Sequence, residues 1–359
     1  MSALETILAT LDKRRRKLTQ PYYVPGLWVD ARTTAAQRVD PYRFYADCVR
    51  NILNAEPVPL VQGPGGGEWS RHARVYNLFP RVTAAFDHAQ DGRLTIGPSP
   101  DGWRETGTLL KCIALLSYLQ SMEINTVHLL PITAVGRDGR KGTLGSPYAI
   151  RDPYRLDENL DEPALGLDVE TLFAGFVEAA HRLGIRVVME FVLRTAAKDA
   201  DWVAEHPDWV YWIREDIPDR QPGSHDPNSY GAPIFPPADL HRAKELVAVH
   251  DFSALPAPPK VYRAMFTEPP RPENVHREDG RWVGVLDDGT RVRIPGAFSD
   301  YPPDDTQPPW TDVTYLRLYD HPDFNYIAYY TIRMYDRRLA QPENAVTDLW
   351  DAIVGIIPS

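Results

Sequence analysis

Glu190 and Arg194 stand four residues apart at the end of Arg186 to Leu193, the purest β-rich run in the chain. In an extended strand, residues four apart share a face, so a carboxylate and a guanidinium project side by side. Such a pair can shape the charge around a reacting centre, or it can satisfy itself as a structural ion pair, and spacing alone leaves both open. The chain also carries 9 tryptophans and 18 tyrosines. An aromatic ring packs well against the apolar C–H face of a pyranose, which makes sugar binding one reading, although core filling accounts for most such rings. Trp202, Trp209, Tyr211 and Trp212 read first as packing, with outer sugar subsites as the alternative.

Other chemistries are not spelled out. The loop Gly63-Pro64-Gly65-Gly66-Gly67 lacks the Gly-Lys-Ser/Thr of a phosphate cradle, and there is no dinucleotide fingerprint or nucleophile elbow. The 10 histidines include no helical pair at metal-ligand spacing, and His128 reads as a core or site-wall residue. No cofactor is implied.

The elements that must position these groups follow from periodicity. Residues 1–70 read as a helical leader: Leu4, Ile7, Leu8 and Leu11 recur at helical spacing ahead of the basic run Lys13 to Lys17, and Phe44, Cys48, Val49 and Ile52 share a face of a second helix. From residue 71 to 195 short β-rich runs alternate with helices, the pattern of βα units around a parallel sheet. Strands are predicted over 75–79, 126–132 and 186–193. The first helix runs from about Glu105 to Tyr118 with one apolar face, and the second opens with Asp168 as its N-cap. Residues 196–343 hold 20 of the 34 prolines and read as an inserted subdomain. Inside it, Arg281 to Leu286 and Thr290 to Ile294 flank Asp287-Asp288-Gly289, a hairpin signal. A last helix is expected over Asn344 to Ile357, within a closing segment 344–359.

With 49 acidic against 39 basic residues, the formal charge of -10 argues against a nucleic-acid or membrane-surface partner. The two cysteines, Cys48 and Cys112, lie in apolar periodic stretches and read as buried thiols. No run reaches the roughly 18 apolar residues of a spanning helix, and the start lacks a secretory signal pattern, so the expected compartment is cytoplasmic.

Several stretches, in order, resemble the α-amylase superfamily and in particular its bacterial maltosyltransferases. They are Val75-Tyr76-Asn77-Leu78-Phe79-Pro80-Arg81 with its continuation to His88, Ser146-Pro147-Tyr148-Ala149-Ile150, Gly184 to Ala197 with His206-Pro207-Asp208-Trp209, and Pro308 to Tyr319. Where most α-amylases have Asp, three residues, Asn and His, this chain has Glu190, Arg194 and Thr195. The Arg-Thr-Ala-Ala form resembles the maltosyltransferase variant, and Glu190 departs from its usual Asp.

The resemblance implies an α/β fold, the first three βα units of a (β/α)8 TIM barrel, with sugar groups gathered at the carboxyl ends of the strands. It implies an α-glucan or maltooligosaccharide substrate and transfer of maltosyl units by a retaining double displacement, with two carboxyl groups as nucleophile and acid/base. In the family those carboxylates sit at later strands, so the chain is expected to be an amino-terminal part without a catalytic residue of its own. By the same resemblance Tyr148 stacks on the sugar, Glu190 and Arg194 shape the charge around the reaction, and Arg81 and Thr195 lie at strand ends as substrate contacts. A guanidinium cannot ligate a cation, so no calcium is expected at Arg194. The alternatives are an α-amylase-type hydrolase and a non-catalytic glucan-binding protein.

Overall fold

The computed structural model describes residues 1–215 apart from Ala31, Lys141, Leu193 and Arg194, then residues 264–296 and 312–317, and a few positions between 238 and 249. They fall into two units: residues 1–132 with 156–191, and residues 133–155 with 192 onward.

The first unit is built from α1 (Ala3–Arg14), α2 (Pro41–Asn54), β1 (Val75–Leu78), α3 (Leu109–Ser121), β2 (Thr126–Leu129), α4 (Val169–Arg182) and β3 (Arg186–Met189). The three strands form one parallel sheet with β2 in the centre, Val75 opposite Thr126 and Thr126 opposite Arg186. Parallel neighbours require long crossover connections, and α3 and α4 lie in them. The strands stop earlier than periodicity predicts. After Leu129 only Leu130 still donates, to the Leu78 carbonyl at 3.0 Å, before Pro131 removes the next donor. Beyond Met189, the Glu190 N–H adds one last bond, to the Leu129 carbonyl at 2.9 Å.

The helix α3 also corrects the sequence. It starts at Leu109 rather than Glu105, because Thr108 is its N-cap and accepts from the Lys111 N–H. Glu105 is occupied elsewhere: its carboxylate accepts the N–H groups of Ala89 at 3.1 Å and Thr95 at 2.7 Å. Instead of one apolar face, every residue from Leu109 to Leu116 is buried, the signature of a helix enclosed by its neighbours. At α4, Asp168 is the N-cap, as the sequence predicts, accepting the Thr171 N–H at 2.6 Å. Asp168→Ala is expected to cost about 1 kcal/mol, the ordinary loss of an N-cap, read as a lower denaturant midpoint at unchanged slope.

The amino-terminal helices share this core. α1 packs on both α2 and α4, and a Cβ on Gly175 would come within 2.3 Å of Ile7 Cδ1, so a larger residue there requires the end of the Ile7 side chain to move. The Leu4 N–H donates to Glu178 at 3.0 Å, and Arg186 donates to the Val61 carbonyl at 2.7 Å with its guanidinium carbon 4.8 Å from the centre of the Trp69 ring. Cys112 is fully buried, whereas Cys48 is half-buried rather than enclosed.

In the second unit, the hairpin signal is realised as Arg281–Val285 antiparallel to Arg291–Arg293, with Gly289 at φ 84° in the turn. It belongs to a five-stranded antiparallel sheet in the order Phe266–Thr267, Trp212–Arg214, Arg291–Arg293, Arg281–Val285, Val275–Glu278. Val313–Tyr315 pairs antiparallel with Thr195–Ala197. The expected helix over 344–357 lies outside the described residues. No helix of the described residues is long and apolar enough to cross a membrane.

Candidate functional site

In the first unit, the carboxyl ends of the three strands carry Phe79, Pro131 and Glu190. Glu190 lies beside His128 of the central strand, its Oε2 4.0 Å from His128 Nε2, and both side chains are partly open to solvent. That separation exceeds a hydrogen bond, so a hydroxyl could bridge acceptor and ring nitrogen. The sequence marks His128 as a core or site-wall residue; it lies opposite Val188 in the parallel register and is half-buried.

Arg81 is placed differently from its neighbours. It is 4% exposed and its guanidinium lies 3.5 Å from Asp157 Oδ2 in a buried ion pair. The guanidinium carbon is 5.4 Å from the centre of the Phe79 ring. Asp157, which sequence reasoning missed, also accepts the Asn159 N–H at 3.0 Å, so Arg81 ties the turn after β1 to the segment that precedes α4. No spacing could have found the pair.

In the second unit, Tyr148 and Thr195 come together. Thr195 Oγ1 donates to the Tyr148 carbonyl at 2.9 Å, and the Tyr148 N–H donates to Ser146 Oγ at 3.2 Å. Ser146 is anchored in turn, its N–H donating to Asp312 Oδ2 at 2.8 Å. Thr195 and Asp312 are buried and Tyr148 is half-buried, with its backbone held by these bonds. Asp312 sits in the stretch the resemblance singled out, although its anchoring role was not foreseen. Arg194 lies outside the described residues.

The aromatic cluster packs. Trp209, Tyr211 and Trp212 are 6%, 2% and 0% exposed, His206 stacks on Trp209 at 3.9 Å, and Trp212 Nε1 donates to the Pro207 carbonyl at 2.7 Å. Among the described residues, no group of three or more His, Cys, Asp or Glu could hold a metal ion.

No family model matches the sequence. Individual relatives do. The chain is similar to the alpha-1,4-glucan:maltose-1-phosphate maltosyltransferase of Arcanobacterium haemolyticum, 32% identical over 144 residues, 37% of this chain and 19% of that protein. It is 30% identical over 213 residues to the enzyme of the same name from Mycolicibacterium smegmatis, 52% of this chain and 28% of that one. The chain is a sequence relative of the bacterial maltosyltransferases. The matched part spans only 19% to 28% of the length of these maltosyltransferases. Among solved structures, a noncanonic maltogenic alpha-amylase AmyB from Thermotoga neapolitana is 36% identical over 40% of this chain and 27% of its own, at a TM-score of 0.27. An alpha-amylase from Lactobacillus plantarum is 25% identical over 42% of this chain and 29% of its own, at 0.29. Superpositions this limited say nothing about the architecture as a whole.

Proposed function

We propose that the chain takes part in processing α-1,4-glucan, binding maltosyl units for transfer by a retaining double displacement, and that its parallel strands belong to a (β/α)8 barrel. The observation that carries this reading is the in-register parallel sheet of β1, β2 and β3 with Glu190 and His128 at its carboxyl end, in a chain related to maltosyltransferases. In barrels of this kind, ligand groups gather at that end of the strands. Glu190 and His128 then contact sugar hydroxyls, one as acceptor and the other through a ring nitrogen. The half-buried Tyr148 stacks its ring on a glucose C–H face, and Thr195 is a positioning residue that fixes the Tyr148 backbone. Arg81, sunk against Asp157, acts by holding the loop after β1 rather than by touching sugar. Arg194 keeps its assignment from the resemblance, as a shaper of charge. The two carboxyl groups of the displacement, which a retaining enzyme places ~5 Å apart, are assigned to none of the described residues.

The test is calorimetric titration of the purified chain with maltotetraose and with maltose 1-phosphate, the donor named in its relatives. Both are expected to bind. Tyr148→Ala should weaken binding by about tenfold, the ~1.4 kcal/mol of a stacked ring, while Tyr148→Phe retains it. Absence of binding by either sugar, or equal affinity of the alanine and wild-type chains, would overturn the reading.

A further inference from the structure

Away from the strand ends, the first unit contains a cavity of about 250 Å³ under the loop 88–105. Neither Arg81, His128 nor Glu190 lines it. Its floor is Tyr22, His88 and Trp103, joined in one polar and aromatic network. His88 stacks on Tyr22 at 4.0 Å, the Tyr22 and Trp103 rings are 5.5 Å apart, and the Tyr22 hydroxyl is 3.1 Å from His88 Nε2. The other ring nitrogen of His88 faces the Tyr23 carbonyl at 2.5 Å, so Nδ1 carries the proton and Nε2 accepts from Tyr22.

The cavity is built rather than slack. Glu105 spans the loop with one oxygen on the Ala89 N–H and the other on the Thr95 N–H. Asp101 accepts the Thr19 N–H and hydroxyl, both at 2.8 Å, which pins the chain before Tyr22 to the far side. Gly102, at φ 85°, closes the turn where a Cβ would lie 2.8 Å from the Ala164 nitrogen. These contacts preorganise the walls before any ligand arrives.

Charge selects the occupant. Asp91, Asp101 and Glu105 line the cavity and none of its described lining residues is Lys or Arg; Arg16 is engaged outside the lining on the Asp101 carbonyl at 2.8 Å and the Lys111 charge reaches His88, so it is the lining carboxylates that disfavour a phosphate or carboxylate. The carboxylates of Asp101 and Glu105 each already take two or more N–H or O–H donors, which leaves lone pairs suited to further hydroxyl donors rather than to a bare cation. Pro21, Pro98 and Pro100 give the rim a rigid apolar surface. A volume just under the ~300–1,000 Å³ of ordinary small-molecule sites limits the occupant to about one ring.

We propose that this cavity is a second carbohydrate site, separate from the strand ends, that takes one uncharged glucosyl unit and rejects sugar phosphates. The identity of the sugar rests on the α-glucan reading above, whereas the cavity and its selectivity for a neutral polyhydroxy ring do not.

The test uses the full chain and two probes, maltose and glucose 1-phosphate, followed by amide and indole chemical shifts and by calorimetry. Gly97 lines the cavity and a Cβ there meets nothing within 4 Å, so Gly97→Phe adds a ring to open space without straining the backbone. Maltose is expected to shift Gly92, Thr95, Gly97 and the Trp103 indole, and Gly97→Phe to weaken that binding at least ~10-fold, while Tyr148→Ala leaves those shifts in place. Glucose 1-phosphate, whose only ring carries the charge, should not move them. Gln20→Ala at the rim gives a milder loss in the same direction and serves if the phenylalanine disturbs the loop. Maltose that shifts none of these resonances, or that binds equally well to Gly97→Phe and Gln20→Ala, would overturn the second site. Loss of all maltose binding in Tyr148→Ala alone would overturn it too while upholding the Tyr148 site. Cavity shifts with no effect of Tyr148→Ala uphold the second site against the Tyr148 reading.

Discussion

Lys111→Met is expected to destabilise the protein by ~3–5 kcal/mol, the cost of leaving one member of a buried ion pair without its partner. Lys111 is 0% exposed in the first turn of α3, and its Nζ lies 3.9 Å from Glu162 Oε1, which is equally enclosed. The ammonium also donates to the Thr106 carbonyl at 2.8 Å and to the Arg104 carbonyl. Glu162 accepts the Thr108 hydroxyl at 2.8 Å and the Arg104 N–H at 3.0 Å. Burial pushes the Lys111 ammonium down to about 8, against the pull of Glu162, and burial raises the Glu162 carboxyl against the pull of Lys111. Each charge is therefore tolerable only because the other is present. Methionine fills the space of the lysine stem but strands a carboxylate and two carbonyls in the core. Urea unfolding of the single variant should show the full loss. Combining it with Glu162→Leu should recover most of it, because two apolar residues of similar volume remove the desolvation penalty together with the attraction. A single variant within ~1 kcal/mol of wild type would mean that the pair is not enclosed as described.

The second large effect is a loss of stability on mild acidification. His88 is held neutral: burial, and next the Lys111 charge, lower its ring to about 2, against the hydrogen bond to the Tyr23 carbonyl that favours the protonated form. In the unfolded chain the ring titrates at its ordinary value near ~6.5. Above that value both states are neutral and His88 contributes no pH dependence. As pH falls below it, the unfolded chain takes up a proton that the folded chain refuses, so stability falls steadily from about pH 6.5 toward pH 2. Between pH 7 and pH 5 the loss amounts to about 2 kcal/mol at ~1.36 kcal/mol per unit. His181, lowered by burial and by Arg186, adds to the same trend, so the informative quantity is the difference between wild type and His88→Phe. The phenylalanine preserves a ring against Tyr22 and should flatten that part of the profile. Parallel profiles for the two proteins would contradict the assignment.

What the sequence disclosed was local. Strand positions, the Asp168 cap and the Asp287-Asp288-Gly289 hairpin follow from patterns a few residues long, and the parallel sheet follows from their alternation. The core was less legible because its decisive partners lie far apart along the chain. Lys111 in an apolar helix reads as a solvent-facing break until Glu162, 51 positions later, is seen beside it. Arg81 reads as a strand-end contact until Asp157 is found against its guanidinium. Of the candidate site, Glu190 stood out by its spacing from Arg194 in a β-rich run, whereas Tyr148 stood out only through resemblance to known enzymes. Their surroundings depend on His128, Ser146 and Asp312, which carry no spacing signal. The cavity under the loop 88–105 left no trace in composition, since its walls are prolines, glycines and acids typical of any turn-rich segment.

The glycine contact between α1 and α4 has a consequence for biosynthesis. The Gly175 surface that receives Ile7 is synthesised 168 residues after it. Throughout that interval the first helix can rest on α2 but has no docking partner on α4, so part of its apolar face stays uncovered. Any tag or fusion that delays or obstructs its return leaves a greasy trench along α4, so yield and solubility should be more sensitive to changes at the amino terminus than the polar appearance of Lys13 to Lys17 suggests.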